Sequence, residues 1–176
     1  MVAKVSHTTL LGAAAEHYVM SQLLRRNMIA ALAPAGVPDA DIIVSDRLGS
    51  ALAAVQVKAR REIGTDGGWH MSIKHETMSR PLLFYCFVDF GRELSDATRC
   101  WILPSETVAT VLTISHQAWL ATPGKNDRPH RDHDMRRLLP DYSRYGARDY
   151  VAGWMDGYRE AWGLIGAQTS SATSQS

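Results

Sequence analysis

The chain has 176 residues, 45% hydrophobic and 21% charged, with a formal net charge of +1. That is the make-up of an ordinary globular protein, long enough for one domain with its own core. No overall field draws it onto nucleic acid or an anionic membrane, so any such attraction must come from local patches.

No basic-then-apolar leader and no apolar run of about 18 residues is present, so neither export nor a membrane span is expected. Cys86 and Cys100 lie in apolar surroundings without a CxxC or Cys/His cluster. They read as buried free thiols in a reducing cytoplasm. A single domain is expected over 1–166, with a disordered Ser/Thr-rich tail at 167–176.

From Thr8 or Thr9 to about Asn27, Leu11, Ala15, Tyr18, Val19 and Leu23 recur at helical steps. A threonine start and Arg25-Arg26 near the end are fitting end signals. The small run Gly12-Ala13-Ala14-Ala15 predicts a helix lying close against a sheet, with Glu16 inside that segment. Met28 to Ala33 reads as a first strand, ended by Pro34 and Gly36. Ile42-Ile43-Val44 and Ala51 to Val57 read as two more, joined by a turn and paired antiparallel.

Trp69 to Lys74 alternates like a strand, and Leu82 to Phe90 is the continuous apolar run of a central strand covered on both faces. Arg99 to Leu103 is a further strand, stopped by Pro104. Ser105 looks like the cap of a short helix through about Leu112. Residues from about Ala121 to Arg137 read as a mildly basic loop. A last helix is predicted from about Asp149 to Leu164, with Tyr150, Trp154, Tyr158 and Trp162 in one stripe that reads as core packing.

The chemistry gathers at Asp41 to Lys58. Asp41 opens a strand, and Gln56 and Lys58 leave one face of the next while Val55 and Val57 leave the other. An acid, an amide oxygen and an ammonium then converge at one sheet edge, with Glu16 as a further carboxylate. Hard cations such as Mg²⁺ take oxygen ligands. Asp41, Gln56 and Glu16 offer them, and Lys58 is placed to orient water and stabilise charge on a phosphate. Asp39 is a second candidate for the aspartate, because strand boundaries read from sequence are uncertain by a few residues.

The helix Gly12-Ala13-Ala14-Ala15-Glu16, the strand opened by Asp41, the tripeptide Gln56-Val57-Lys58 and the apolar strand downstream occur in an order that resembles the PD-(D/E)XK nuclease superfamily. The likeness covers about Leu11 to Leu103 and is to the resolvase-type and Mrr-like branches, where glutamine also occurs in the tripeptide. It implies an α/β domain with a mixed central sheet flanked by helices, the restriction-endonuclease-like fold. It also implies Mg²⁺ (or Mn²⁺) dependence and cleavage of DNA by a homodimer.

Arg60, Arg61, Arg128 and Arg131, with Arg136 and Arg137, are candidate contacts to a nucleic-acid backbone, positioning without reading sequence. His130 and His133 beside Asp132 and Asp134, with His70 and His75 earlier, form a competing zinc-like group that lacks a helical i, i+4 pair. Two rival functions remain at this stage. One is a nuclease-derived module that binds nucleic acid or protein without cutting; the other is a scaffold that dimerises through Trp154 and Tyr158.

Overall fold

A computed structural model describes residues 7–49, 52–61 and 67–166. The 167–176 tail and most of the loop before Gly68 lie outside the described residues. Helix α1 (His7–Leu24) precedes strands β1 (Ile29–Leu32), β2 (Ile42–Ser45) and β3 (Leu52–Arg60). Then come β4 (Trp69–Ser72), a 3-10 turn at Ile73–Glu76, β5 (Leu83–Asp89), β6 (Arg99–Pro104), α2 (Ser105–Ala121) and β7 (Met135–Leu138). Five strands form a mixed sheet in the order β1-β2-β3-β5-β6, and β4 pairs with β7 in a separate two-stranded sheet. In the large sheet only the β3–β5 pair is parallel.

Four-residue steps bring Ala15, Val19 and Leu23 of α1 onto one face of the sheet, against Ile42, Val44, Val55, Phe84 and Cys86. The alternate strand residues Tyr85, Phe87 and Leu103 face α2 and the small sheet, where Val108, Val111, Leu112 and Leu138 complete a second apolar layer. Strand β5 is buried along its whole length, as its unbroken apolar sequence requires. Both cysteines are buried and free. Gly68 is needed for close approach: a Cβ there would stand 2.7 Å from the Leu138 carbonyl oxygen.

Four expectations are corrected. Of the small run in α1 only Ala15 is buried; Ala13 and Ala14 face outward, and a Cβ on Gly12 would meet nothing within 4 Å. The helix after Pro104 runs on to Ala121, carried by the buried stripe Val108, Val111, Leu112 and Ser115. Its Ser105 is no cap, because its Oγ bonds the main-chain N–H and C=O of Arg80. The basic loop contains β7, whose apolar members Met135 and Leu138 are separated by two arginines.

The fourth correction is the aromatic helix. Residues 149–162 form consecutive tight turns with three-residue hydrogen bonds, such as Trp154 N–H to Val151 C=O and Tyr158 N–H to Met155 C=O. Gly153 sits at φ +91° and Glu160 at φ +52°, and Val151 and Arg159 are extended, so the backbone leaves the helical region repeatedly. The segment instead bridges β6 at Trp101–Arg159, and Glu160 N–H donates to Cys100 C=O. Tyr150, Trp154 and Tyr158 still meet edge to face, 5.3 and 6.4 Å apart, packed on the second apolar layer. Trp162 joins the first. The stripe therefore packs on both apolar layers, with Trp162 buried and Tyr150, Trp154 and Tyr158 partly buried.

Candidate active site

The position of Asp41 follows from the short β2. Its main chain is held on both sides, with its N–H on Val55 C=O at 2.9 Å and its C=O taking Ala33 N–H at 2.8 Å. The strand pairing of β2 with β3 stops at Ile42–Val55. One residue further on, the Asp41 carboxylate takes the Val57 N–H at 2.7 Å. A side chain thus replaces the ladder at the point where β3 outruns β2. The N–H and C=O of one strand residue leave on the same side, so the Val57 carbonyl shares this edge with the carboxylate.

Gln56 and Lys58 flank that amide. Gln56 is 7% exposed, and its Oε1 is buried with no hydrogen-bond partner. Lys58 is half-buried; burial pushes its ammonium pKa down, while the Asp41 carboxylate pulls it back up. Glu16 approaches from α1. Burial, and then the Asp41 charge, raise its carboxyl above the usual range. Asp41 acts electrostatically on both Glu16 and Lys58, and its carboxylate meets the main chain between Gln56 and Lys58.

Asp39 is oriented otherwise. It has a left-handed backbone at φ +61°, and its carboxylate takes Arg80 at 2.6 Å and Lys74 at 3.5 Å. The sequence left it as an alternative to Asp41, but only Asp41 touches the Gln56-Val57-Lys58 main chain.

Two carboxylates and an amide oxygen suit a hard divalent cation. The fit rests on Gln56 Oε1: a buried acceptor without a partner is costly, and a cation satisfies it. Among the described residues no group of three His, Cys, Asp or Glu side chains is arranged for a metal, so the amide would have to take part. The histidine group is organised otherwise. His116 on α2 bonds Asp132 at 2.7 Å, and Trp119 stacks on His130 with centroids 4.0 Å apart. A cleft of about 350 Å³ beside it, lined by Trp119, His133, Arg144 and Tyr145 among others, shares no residue with the Asp41 neighbourhood.

The arginines separate. Arg128 and Arg131 are exposed, and Arg61 donates to the Arg92 carbonyl. Arg60 is unavailable to a ligand: its guanidinium bonds the buried Asp89 and lies 3.8 Å over the Trp69 ring. Arg136 is likewise buried, bonded to Glu76 and to the His133 carbonyl. His75 is the residue whose place the sequence did not reveal. It is 3% exposed, its ring lies 5.8 Å from that of Tyr85, and the Lys58 charge acts on it.

No family model and no curated protein matches the chain. Among solved structures it is similar to the bacterial homing endonuclease I-Ssp6803I, with a TM-score of 0.59 over 98% of this chain and 100% of that one, at 17% identity. The chain has the restriction-endonuclease-like fold. Hjc, a Holliday junction resolvase of Archaeoglobus fulgidus, is also similar, with a TM-score of 0.40 and 17% identity over 73% of this chain and 83% of that one. In this restriction-endonuclease-like chain no helix among the described residues is long and apolar enough to cross a membrane.

Proposed function

We propose that the chain is a Mg²⁺-dependent endonuclease hydrolysing DNA backbone phosphodiester bonds, with Mn²⁺ able to replace Mg²⁺ and two copies of the chain acting together. The observation that carries this reading lies where β3 outruns β2, with the Asp41 carboxylate meeting the Val57 N–H beside the unpartnered Gln56 Oε1. The fold shared with a homing endonuclease supports the substrate class.

Asp41, Gln56 and Glu16 would hold the cation, which when bound neutralises phosphate charge and makes a water molecule a better nucleophile. The Lys58 ammonium orients that water and stabilises the charge growing on the phosphoryl oxygens. Its desolvated setting strengthens this attraction relative to bulk water.

The direct test is incubation of purified protein with plasmid DNA. Nicked or linear product is expected with Mg²⁺ or Mn²⁺, and none with a chelator. Binding without product under every condition would favour the second reading, a nuclease-derived binding module. The neutral Gln56 gives that reading some footing, since a carboxylate there would add one negative charge to the cation site.

Arg61, Arg128 and Arg131 are proposed to touch the phosphate backbone. Replacing Arg128 and Arg131 together by alanine should weaken binding to all sequences alike. It should also flatten the plot of log affinity against log salt by about 0.9 per lost contact. A salt slope equal to the parent's would remove both residues from the interface.

A further inference from the structure

His75 belongs to a turn held in place from two sides. The turn Ile73–Glu76 leaves β4, and Glu76 is bonded to the buried Arg136 of β7. One ring nitrogen is occupied: Nδ1 lies 3.0 Å from the Ser72 carbonyl, 3.1 Å from its hydroxyl and 3.2 Å from its amide nitrogen. In the tautomer that donates from Nδ1–H to that carbonyl, Nε2 keeps a free lone pair. Nε2 is buried and has no hydrogen-bond partner.

The ring lies against Tyr85, which pairs in register with Gln56. Gln56 Oε1 and His75 Nε2 are two of the three buried side-chain atoms without a partner among the described residues. The third, Arg60 Nη1, lies in the Asp89 cluster. Two buried polar atoms without partners, on residues that both neighbour Tyr85, call for a polar group to satisfy them. Gln56 Oε1 suits a cation directly. An imidazole suits a hard cation poorly, but Mg²⁺ keeps several of its waters.

We propose that His75 is a positioning residue of the candidate metal centre, its Nε2 accepting a hydrogen bond from a water of the cation's hydration shell. This rests on the metal-dependent reading above. His75 acts through that water and touches neither cation nor phosphate. Side chains that orient metal ligands in this way typically change metal affinity or activity by about 10- to 100-fold when lost.

Uniformly ¹⁵N-labelled protein, observed by NMR during Mg²⁺ addition, tests the proposal without any turnover. His75 Nε2 should resonate as an unprotonated nitrogen and shift as Mg²⁺ saturates, together with the Val57 amide. A protonated Nε2 overturns the proposal. So does a His75 signal that stays still while the Val57 amide moves, in which case the metal reading survives alone. If neither moves, both fall. By calorimetry, His75→Phe should bind Mg²⁺ about 10-fold more weakly or worse, and His75→Gln, which restores an acceptor, should recover part of the loss. Parental affinity in folded His75→Phe overturns the proposal, and should that variant fail to fold, the Nε2 signal of the parent decides.

Discussion

Replacing Lys58 with methionine is expected to cut the rate of Mg²⁺-dependent DNA cleavage about 10²–10³-fold while leaving the melting temperature unchanged or higher. The rate loss is that of removing one preorganised positive donor from a developing anionic charge. The stability effect has the opposite sign for a physical reason. Burial lowers the Lys58 pKa, so the fold binds that proton less well than the unfolded chain, which costs free energy at every pH below the ordinary lysine value. Methionine keeps the apolar stem and removes the desolvated charge. Single-turnover cleavage with thermal denaturation of the same sample checks both halves. Cleavage at the parental rate would remove Lys58 from the chemistry, and a large drop in melting temperature would make it a structural residue.

Asp89→Ala is expected to be the most damaging single change away from the site. The carboxylate is 0% exposed at the end of β5 and takes Arg60 through two nitrogens, Arg99 at 3.0 Å and the Gly91 N–H at 2.9 Å. Removing it leaves Arg60, whose side chain is 11% exposed, without its counter-charge. Breaking a buried pair in this way costs about 3–5 kcal/mol, or roughly 6–20 °C in melting temperature for a chain of this size. The double change Asp89→Leu with Arg60→Met should recover part of the loss, because the more buried of the two guanidinium partners is removed with the carboxylate. Thermal unfolding of the two variants decides the matter, and a midpoint within 2 °C of the parent for Asp89→Ala would mean that the pair contributes nothing.

The same cluster shows where sequence reading stops. Arg60 follows Lys58 on the same strand face, and nothing local distinguishes a phosphate contact from the partner of an aspartate 29 positions away. Local periodicity was enough for α1, for the antiparallel pairing of the strands around Asp41, and for the covered β5, because each buries a face whose spacing is written within a few residues. It failed for residues 149–162, where aromatics at four-residue steps are served equally well by successive turns once Gly153 and Glu160 adopt positive φ. It also failed for β7, a four-residue strand that exists only because β4 stands opposite. That Asp41 acts on Glu16 and Lys58 and touches the main chain beside Gln56 was foreshadowed by their order along the chain, which resembles a family pattern. The approach of His75 was not, since a 3-10 turn after a peripheral strand carries no periodic signal.

Strand β3 has nine residues and its neighbour β2 only four, so from Val57 onward the β2 flank of β3 faces no strand. Two more residues of extended chain ahead of Ile42 would zip that gap and bury the Val57 carbonyl in an ordinary ladder. What must be preserved there is a length as much as an identity. Insertions or deletions between β1 and β2 should therefore be tolerated less well than most substitutions in the same stretch.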